Sequence, residues 1–394
     1  MKRFTLALYL AAFAILGIKA TGASAKLSEL GDFVVSKFDF HLPAWAPQPL
    51  EPKGNPTTKA KVELGRYLFY DTRLSVDGTL SCASCHIQSK AFTDGRPTSI
   101  GVTGQHTPRN AMPLVNAAYF PALTWSNPLL HTAEQQALVP LTNVTPPELG
   151  IDKHEDEMIT RLKAEPMYPK LFRAAFPEAK GDISLATLTR ALAAFERSIV
   201  SFRSPYDRYR YDNDMTVMSD AALRGEALFF GERLECHHCH NGLNFTDSER
   251  HARNPMGTSA FHNTGLYNMD GKGGYPADNT GIREITGRDD DMGRMRTPSL
   301  RNVAVTAPYF HDGSAKTLDD VIDHYAAGGR TIQNGPNAGV GKNNPLKSSF
   351  ISGFTLTPSE RDDLKAFLNS LTDDAVLTDP RFSDPWPKPQ RKIP

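Results

Sequence analysis

Two short segments of this chain can each hold a porphyrin covalently. Cys82-Ala83-Ser84-Cys85-His86 and Cys236-His237-His238-Cys239-His240 both read Cys-x-x-Cys-His. Two thiols two residues apart can add to the two vinyl groups of one haem, and the adjacent His then lies under the ring as an iron ligand. The chain has four cysteines, and the two motifs use all of them. A single zinc site built from both pairs is the competing reading. It leaves His86 and His240 unexplained and leaves two covalent haem c groups as the better account.

The elements that position these motifs repeat. Leu64-Gly65-Arg66-Tyr67-Leu68-Phe69-Tyr70 precedes the first, and Arg224-Gly225-Glu226-Ala227-Leu228-Phe229-Phe230 precedes the second. Phe92-Thr93-Asp94 and Phe245-Thr246-Asp247 follow them. A Gly-x-x-Leu-Phe segment before and Phe-Thr-Asp shortly after point to two related haem domains. The expected fold is mainly α, two cytochrome c-like domains with long loops and little β. Residues 26–202 form the N-terminal haem domain with its leading segment, and 203–394 the C-terminal one. Leu185, Leu188, Leu192, Phe195 and Ile199 make a helical stripe for core packing. Thr357, Pro358 and Glu360 form a capping box that starts a second helix, with Leu364, Phe367, Leu368 and Leu371 on its buried face. Stretches 270–281 and 327–345 are rich in Gly and Pro, as loops around cofactors are. The tail from about 376, with Pro380, Pro385, Pro387 and Pro389, reads as irregular.

Met1-Lys2-Arg3, an apolar run from Phe4 to Ile18 and Ala23-Ser24-Ala25 have the order of a secretory leader, so residues 1–25 are expected to be removed on export. The run is short for a membrane span, and none follows it. Losing Lys2, Arg3 and Lys19 takes the 44 basic residues to 41 against 44 acidic ones, a formal charge of −3. No basic patch suggests nucleic acid. With no spare cysteine there is no disulfide framework. A periplasmic location agrees with haem attachment outside the cytoplasm.

Further segments bear on the chemistry: Pro108-Arg109-Asn110, Trp125, Glu134-Gln135-Gln136-Ala137-Leu138-Val139-Pro140, Thr297-Pro298-Ser299-Leu300-Arg301-Asn302, Ala307-Pro308-Tyr309-Phe310-His311-Asp312-Gly313, and Tyr325 ahead of Gly328-Gly329. With these the chain resembles the superfamily of bacterial di-haem cytochrome c peroxidases and MauG, over nearly the whole mature length. Glu134 to Pro140 together with Pro146-Pro147-Glu148-Leu149-Gly150 is similar to the MbnH branch, whose members act on a tryptophan of a copper-binding partner.

The resemblance implies roles residue by residue. His86 and His240 are the proximal iron ligands. Where ordinary di-haem peroxidases carry a distal His on the N-terminal haem, this chain has Val102, which cannot ligate; His106, nearby but shifted, reads as a loop residue. That haem is therefore expected to be high-spin and open to hydrogen peroxide, with Gln136, Pro140 and Glu148 around it. A carboxylate there can move a proton between the peroxide oxygens and promote O–O cleavage. Glu148 is separated from Pro140 by two more residues than in MauG. Opposite the C-terminal iron, peroxidases have Met and MauG has Tyr; the matching residue is Tyr325. A phenolate is a hard anionic donor that lowers the potential, and a thioether does the reverse. Met292 and Met295 read as loop or core residues. Trp125 is expected between the porphyrins as an electron relay. Asn110, Thr306 and Pro308 match an inter-haem calcium site, an amide and two carbonyl oxygens of the kind calcium takes. His311 has no assigned role.

The expected function is peroxide-dependent formation of a bis-Fe(IV) di-haem state that oxidises an aromatic residue, a Trp towards kynurenine, on an exported partner. The alternatives are a cytochrome c peroxidase fed by a small cytochrome donor and a di-haem electron carrier. Val102 and Tyr325 speak against the first. An open iron speaks against the second.

Overall fold

The computed structural model describes residues 33–387; the leader expected over residues 1–25 lies outside the described residues. Two helix pairs organise the chain, and they repeat. Lys59–Phe69 packs across Leu185–Ser198, and Asp220–Phe229 packs across Pro358–Ser370. Each pair meets at a glycine of the repeated Gly-x-x-Leu-Phe segment. A Cβ on Gly65 would sit 2.0 Å from the Ala191 carbonyl oxygen and 2.8 Å from Phe195 Cβ. A Cβ on Gly225 would sit 2.0 Å from the Asp363 carbonyl oxygen and 2.8 Å from Phe367 Cβ. Glycine in mid-helix costs about 1 kcal/mol against Ala, but only glycine lets the two backbones approach this closely.

The predicted stripe is buried: Leu188, Leu192, Phe195 and Ile199 all lie in the first core, with Leu185 at its edge. The predicted capping box is also present. The Glu360 carboxylate accepts from the Thr357 amide at 2.8 Å, and Thr357 Oγ1 accepts from the Glu360 amide at 3.2 Å. Leu364, Phe367, Leu368 and Leu371 fill the second core. The same geometry recurs where the end of each long helix meets a distant loop. Asn116 and Asn302 adopt the left-handed conformation, with φ of 59° and 61°. The Asn116 amide donates to the Ile199 carbonyl at 2.8 Å, and the Asn302 amide to the Leu371 carbonyl at 3.0 Å. Asn tolerates this conformation better than other residues with a Cβ.

The fold is mainly α. Among the described residues the strands form three two-stranded antiparallel ladders, Phe33–Val35 with Leu50–Pro52, Phe261–His262 with Met295–Arg296, and Thr331–Ile332 with Gly339–Val340. After the short helix Asp374–Thr378 the tail is irregular, and it returns to the N-terminal core. Val376 and Phe382 are buried there, and Trp386 Nε1 donates to the Tyr67 carbonyl at 3.0 Å. A buried Asp207–Arg301 ion pair at 2.7 Å pins the Pro205–Asp212 helix to the Thr297–Asn302 segment. No described helix is long and apolar enough to cross a membrane.

Candidate functional site

The two Cys-x-x-Cys-His segments fold alike. The His86 amide donates to the Cys82 carbonyl at 3.0 Å, and the His240 amide to the Cys236 carbonyl at 2.9 Å. Phe92 and Phe245 take up left-handed backbone, with φ of 64° and 51°. This turns each carbonyl onto a histidine ring: Phe92 O lies 2.7 Å from His86 Nδ1, and Phe245 O lies 3.0 Å from His240 Nδ1. A carbonyl only accepts, so Nδ1 carries the proton and Nε2 keeps a lone pair for a metal. Burial pulls both imidazoles below the ordinary histidine range, which favours the neutral ligating form. The Phe-Thr-Asp repeat thus fixes the tautomer of His86 and His240 alike.

Cys236, Cys239 and His240 line a largely apolar cavity of about 1590 Å³, part of it open to solvent. Leu234, Leu300, Ile322, Phe354 and Leu364 contribute to its walls. Two thiols, an imidazole with free Nε2 and an apolar slot of this size fit a haem c. Tyr325, next to last in the Leu318–Ala326 helix, lines the same cavity. Gly328 and Gly329, with φ of 71° and 131°, end that helix by donating to the Tyr325 and His324 carbonyls, both at 3.0 Å. Burial pushes the Tyr325 phenol far up, so its ionisation requires a metal charge beside it. Met295 also lines the cavity, from the strand Met295–Arg296, whereas Met292 packs against the small Leu266–Tyr267–Tyr275 cluster.

The cavity runs on past Trp125, Asn110 and Pro113 to Thr93, beside the first motif. Trp125 Nε1 donates to the Asn110 carbonyl at 2.9 Å, and the Trp125 carbonyl accepts from the Arg296 amide at 2.7 Å. The indole is therefore fixed by Asn110, and the backbone of the same residue by Arg296. Asn110, Thr306 and Pro308 all line this passage. Asn110 Nδ2 donates to the Arg96 carbonyl at 2.8 Å, which leaves the amide oxygen as a donor for a hard cation. His311 is buried against Trp125, their rings 6.4 Å apart. Burial holds it at about 4, so it is neutral at pH 7, and its Nε2 has no hydrogen-bond partner.

At the first motif, Gln136 and Pro140 lie one turn apart on the Ala133–Thr142 helix. The segment from Asn143 to Glu148 returns to that helix: the Leu149 amide donates to the Pro140 carbonyl at 2.9 Å. The Glu148 carbonyl accepts from the Val102 amide at 2.9 Å, so Val102, Pro140 and Glu148 meet. The Glu148 charge is felt at the Cys82 and Cys85 thiols, and burial raises its own carboxyl above the ordinary range. His106 is exposed, its Nδ1 bonded to Thr98 Oγ1 at 2.9 Å, as a loop residue would be.

The family model for di-haem cytochrome c peroxidase matches residues 59–215. The methylamine utilization protein MauG of Methylorubrum extorquens is 35% identical over 367 residues, covering 92% of each chain. The chain belongs to the di-haem cytochrome c peroxidase and MauG family. The cytochrome c551 peroxidase of Pseudomonas aeruginosa is 31% identical over 327 residues, 82% of each chain. A solved structure described as a MauG-like protein associated with microbial copper homeostasis is 50% identical, with a TM-score of 0.86, over 89% of this chain and 100% of that one. The protein is thus a haem-dependent, peroxide-using oxidoreductase with two haem c groups.

Two features of this di-haem family member escaped the sequence reading. Leu114-Val115-Asn116 and Leu300-Arg301-Asn302 form a further repeated segment, legible once the halves are aligned. Glu196 gives no sequence signal at all. It is buried beside the Leu185–Ser198 stripe and acts electrostatically on Cys82. Burial first, then the Glu134 charge, pushes it up to about 8. Its folded value lies above the unfolded one of about 4.3, so the folded state holds the proton in between. Stability is full below the unfolded value and falls as pH rises towards about 8, by at most about 1.4 kcal/mol per pH unit. Glu196→Gln is expected to flatten this slope: chemical denaturation should show little change at pH 4 and a gain of a few kcal/mol at pH 9.

Proposed function

We propose that this protein uses hydrogen peroxide to oxidise an aromatic side chain, a Trp towards kynurenine, on an exported partner in the periplasm. The observation that carries the reading is Tyr325 in the cavity that contains His240. As an anionic oxygen donor it would favour the oxidised state of the second haem, which suits oxidising a substrate rather than accepting electrons from a donor. Val102, which has no donor atom in its side chain and whose amide donates to the Glu148 carbonyl, supports an open first haem. The 50% identical neighbour's association with copper homeostasis is consistent with a copper-binding partner.

When bound, the two haems supply the redox chemistry, two oxidising equivalents from each peroxide. Glu148, with its raised carboxyl, takes a proton from one peroxide oxygen and returns it to the other. Gln136 and Pro140 shape the pocket around it. Trp125, which lines the cavity beside Asn110, would provide an aromatic route for electrons. Asn110 with the Thr306 and Pro308 carbonyls would hold calcium and keep that route rigid. A reductant too large to enter is then oxidised at the surface by long-range electron removal.

Cytochrome c peroxidase activity is the second reading, and Met295 in the same cavity favours it. To separate the two, the holoenzyme is incubated with peroxide and the product of the neighbouring gene, and the partner's peptides are weighed. Oxygen added at one Trp, lost in His86→Ala and His240→Ala, is the expected result. An unmodified partner with rapid turnover of reduced cytochrome c would establish the peroxidase. Trp125→Phe should keep haem content and spin states, while the near-infrared charge-resonance band expected after peroxide, when oxidising equivalents are shared by two haems, decays faster by about an order of magnitude. An unchanged lifetime would make Trp125 a packing residue.

A further inference from the structure

Haem attachment does not require the two residues between the second pair of cysteines to be histidines; the first motif has Ala83 and Ser84 there. His237 and His238 lie at the rim of the molecule, their side chains 22% and 29% exposed, with rings 4.3 Å apart. The exposed Glu232 carboxylate spans both. One oxygen is 3.6 Å from His237 Nε2 and the other 3.7 Å from His238 Nε2. Glu235 brings a further oxygen 2.7 Å from His238 Nε2. Donors around a tetrahedral zinc ion lie about 3.3 Å apart, so the Glu232 spacings need only a small contraction.

Apart from the Glu235 contact with His238, neighbouring groups leave these donors free for an ion. His238 is stacked on Phe350, with centroids 4.2 Å apart and planes 16° from parallel, which holds its ring without using a nitrogen. His237 has its Nδ1 buried without a hydrogen-bond partner. Arg233, the nearest cation in sequence, is paired with Glu360 and does not neutralise Glu232.

We propose that Glu232, His237 and His238, with Glu235 beside His238, form a binding site for one transition-metal dication, zinc or copper(II). Two imidazoles with carboxylates suit these ions, whereas magnesium and calcium take oxygen donors. The site is separate from Asn110, Thr306 and Pro308, and it does not rest on the proposed substrate.

The test is calorimetric titration of the calcium-saturated holoenzyme with zinc chloride. One equivalent is expected, and none of comparable affinity with magnesium. The double variant His237→Ala with His238→Ser gives the second motif the residues of the first, so haem content should be retained while zinc binding weakens at least about 100-fold. Glu232→Gln lies outside the motif and should weaken it about 10-fold or more, which keeps the test valid if the double variant loses haem. Zinc-edge X-ray absorption should show two imidazole nitrogens. Absence of zinc binding, or unchanged affinity in Glu232→Gln and in the double variant, would overturn the site and leave ordinary surface ion pairs.

Discussion

Replacing Tyr325 with Met should leave both haems attached and cut peroxide-dependent oxidation of the partner protein by about 100-fold or more. The side chain is delivered to the cavity by the last turn of the Leu318–Ala326 helix, so a Met there reaches the same space without altering the cap or the glycines beyond. What changes is the donor. A thioether stabilises reduced iron and raises the potential, where a phenolate lowers it. The near-infrared band after peroxide should disappear, and turnover of a reduced cytochrome donor should rise. If the band and the partner oxidation survive in Tyr325→Met, Tyr325 is not the second ligand, and Met295, on the same cavity, becomes the residue to vary.

Glu148→Gln should slow the reaction with peroxide by about 10²–10⁴-fold, the usual range for a positioned acid–base group. The amide preserves shape and the contacts of its backbone with Val102, but it cannot accept a proton. The pH dependence follows from the same group. The carboxylate form must be present to take the first proton, so the wild-type rate rises with pH through the Glu148 pKa. Burial raises that pKa, so the rise should fall above the range of an exposed carboxyl, about 4.3. Stopped-flow rates across pH 4 to 8 would show this limb in the wild type and a flat profile in Glu148→Gln. A limb that persists in the variant would belong to another group.

The covalent chemistry was legible from residue types alone. Cys-x-x-Cys-His acts within five residues, and local sequence suffices where the reacting atoms are neighbours in the chain. The repeat of Gly65 and Gly225, the stripe ending at Ile199 and the Thr357 capping box were likewise local patterns, and helical periodicity placed them correctly. The tertiary structure supplied what depends on meetings between distant segments. It gave the reason for the repeated glycines, a crossing in which Ala191 and Asp363 carbonyls occupy the space of a Cβ. It turned Phe92 and Phe245 into tautomer-setting carbonyls through a backbone twist that no composition encodes. It returned Glu148 to Pro140 despite the longer spacing, and it brought Phe382 and Trp386 back onto the first core. It also buried Glu196, whose raised carboxyl depends on desolvation and on the Glu134 charge. A sequence fixes which groups exist and how far apart they are along the chain. Burial, electrostatic environment and the convergence of side chains onto one cavity are set by packing between segments, so only the folded chain could decide them.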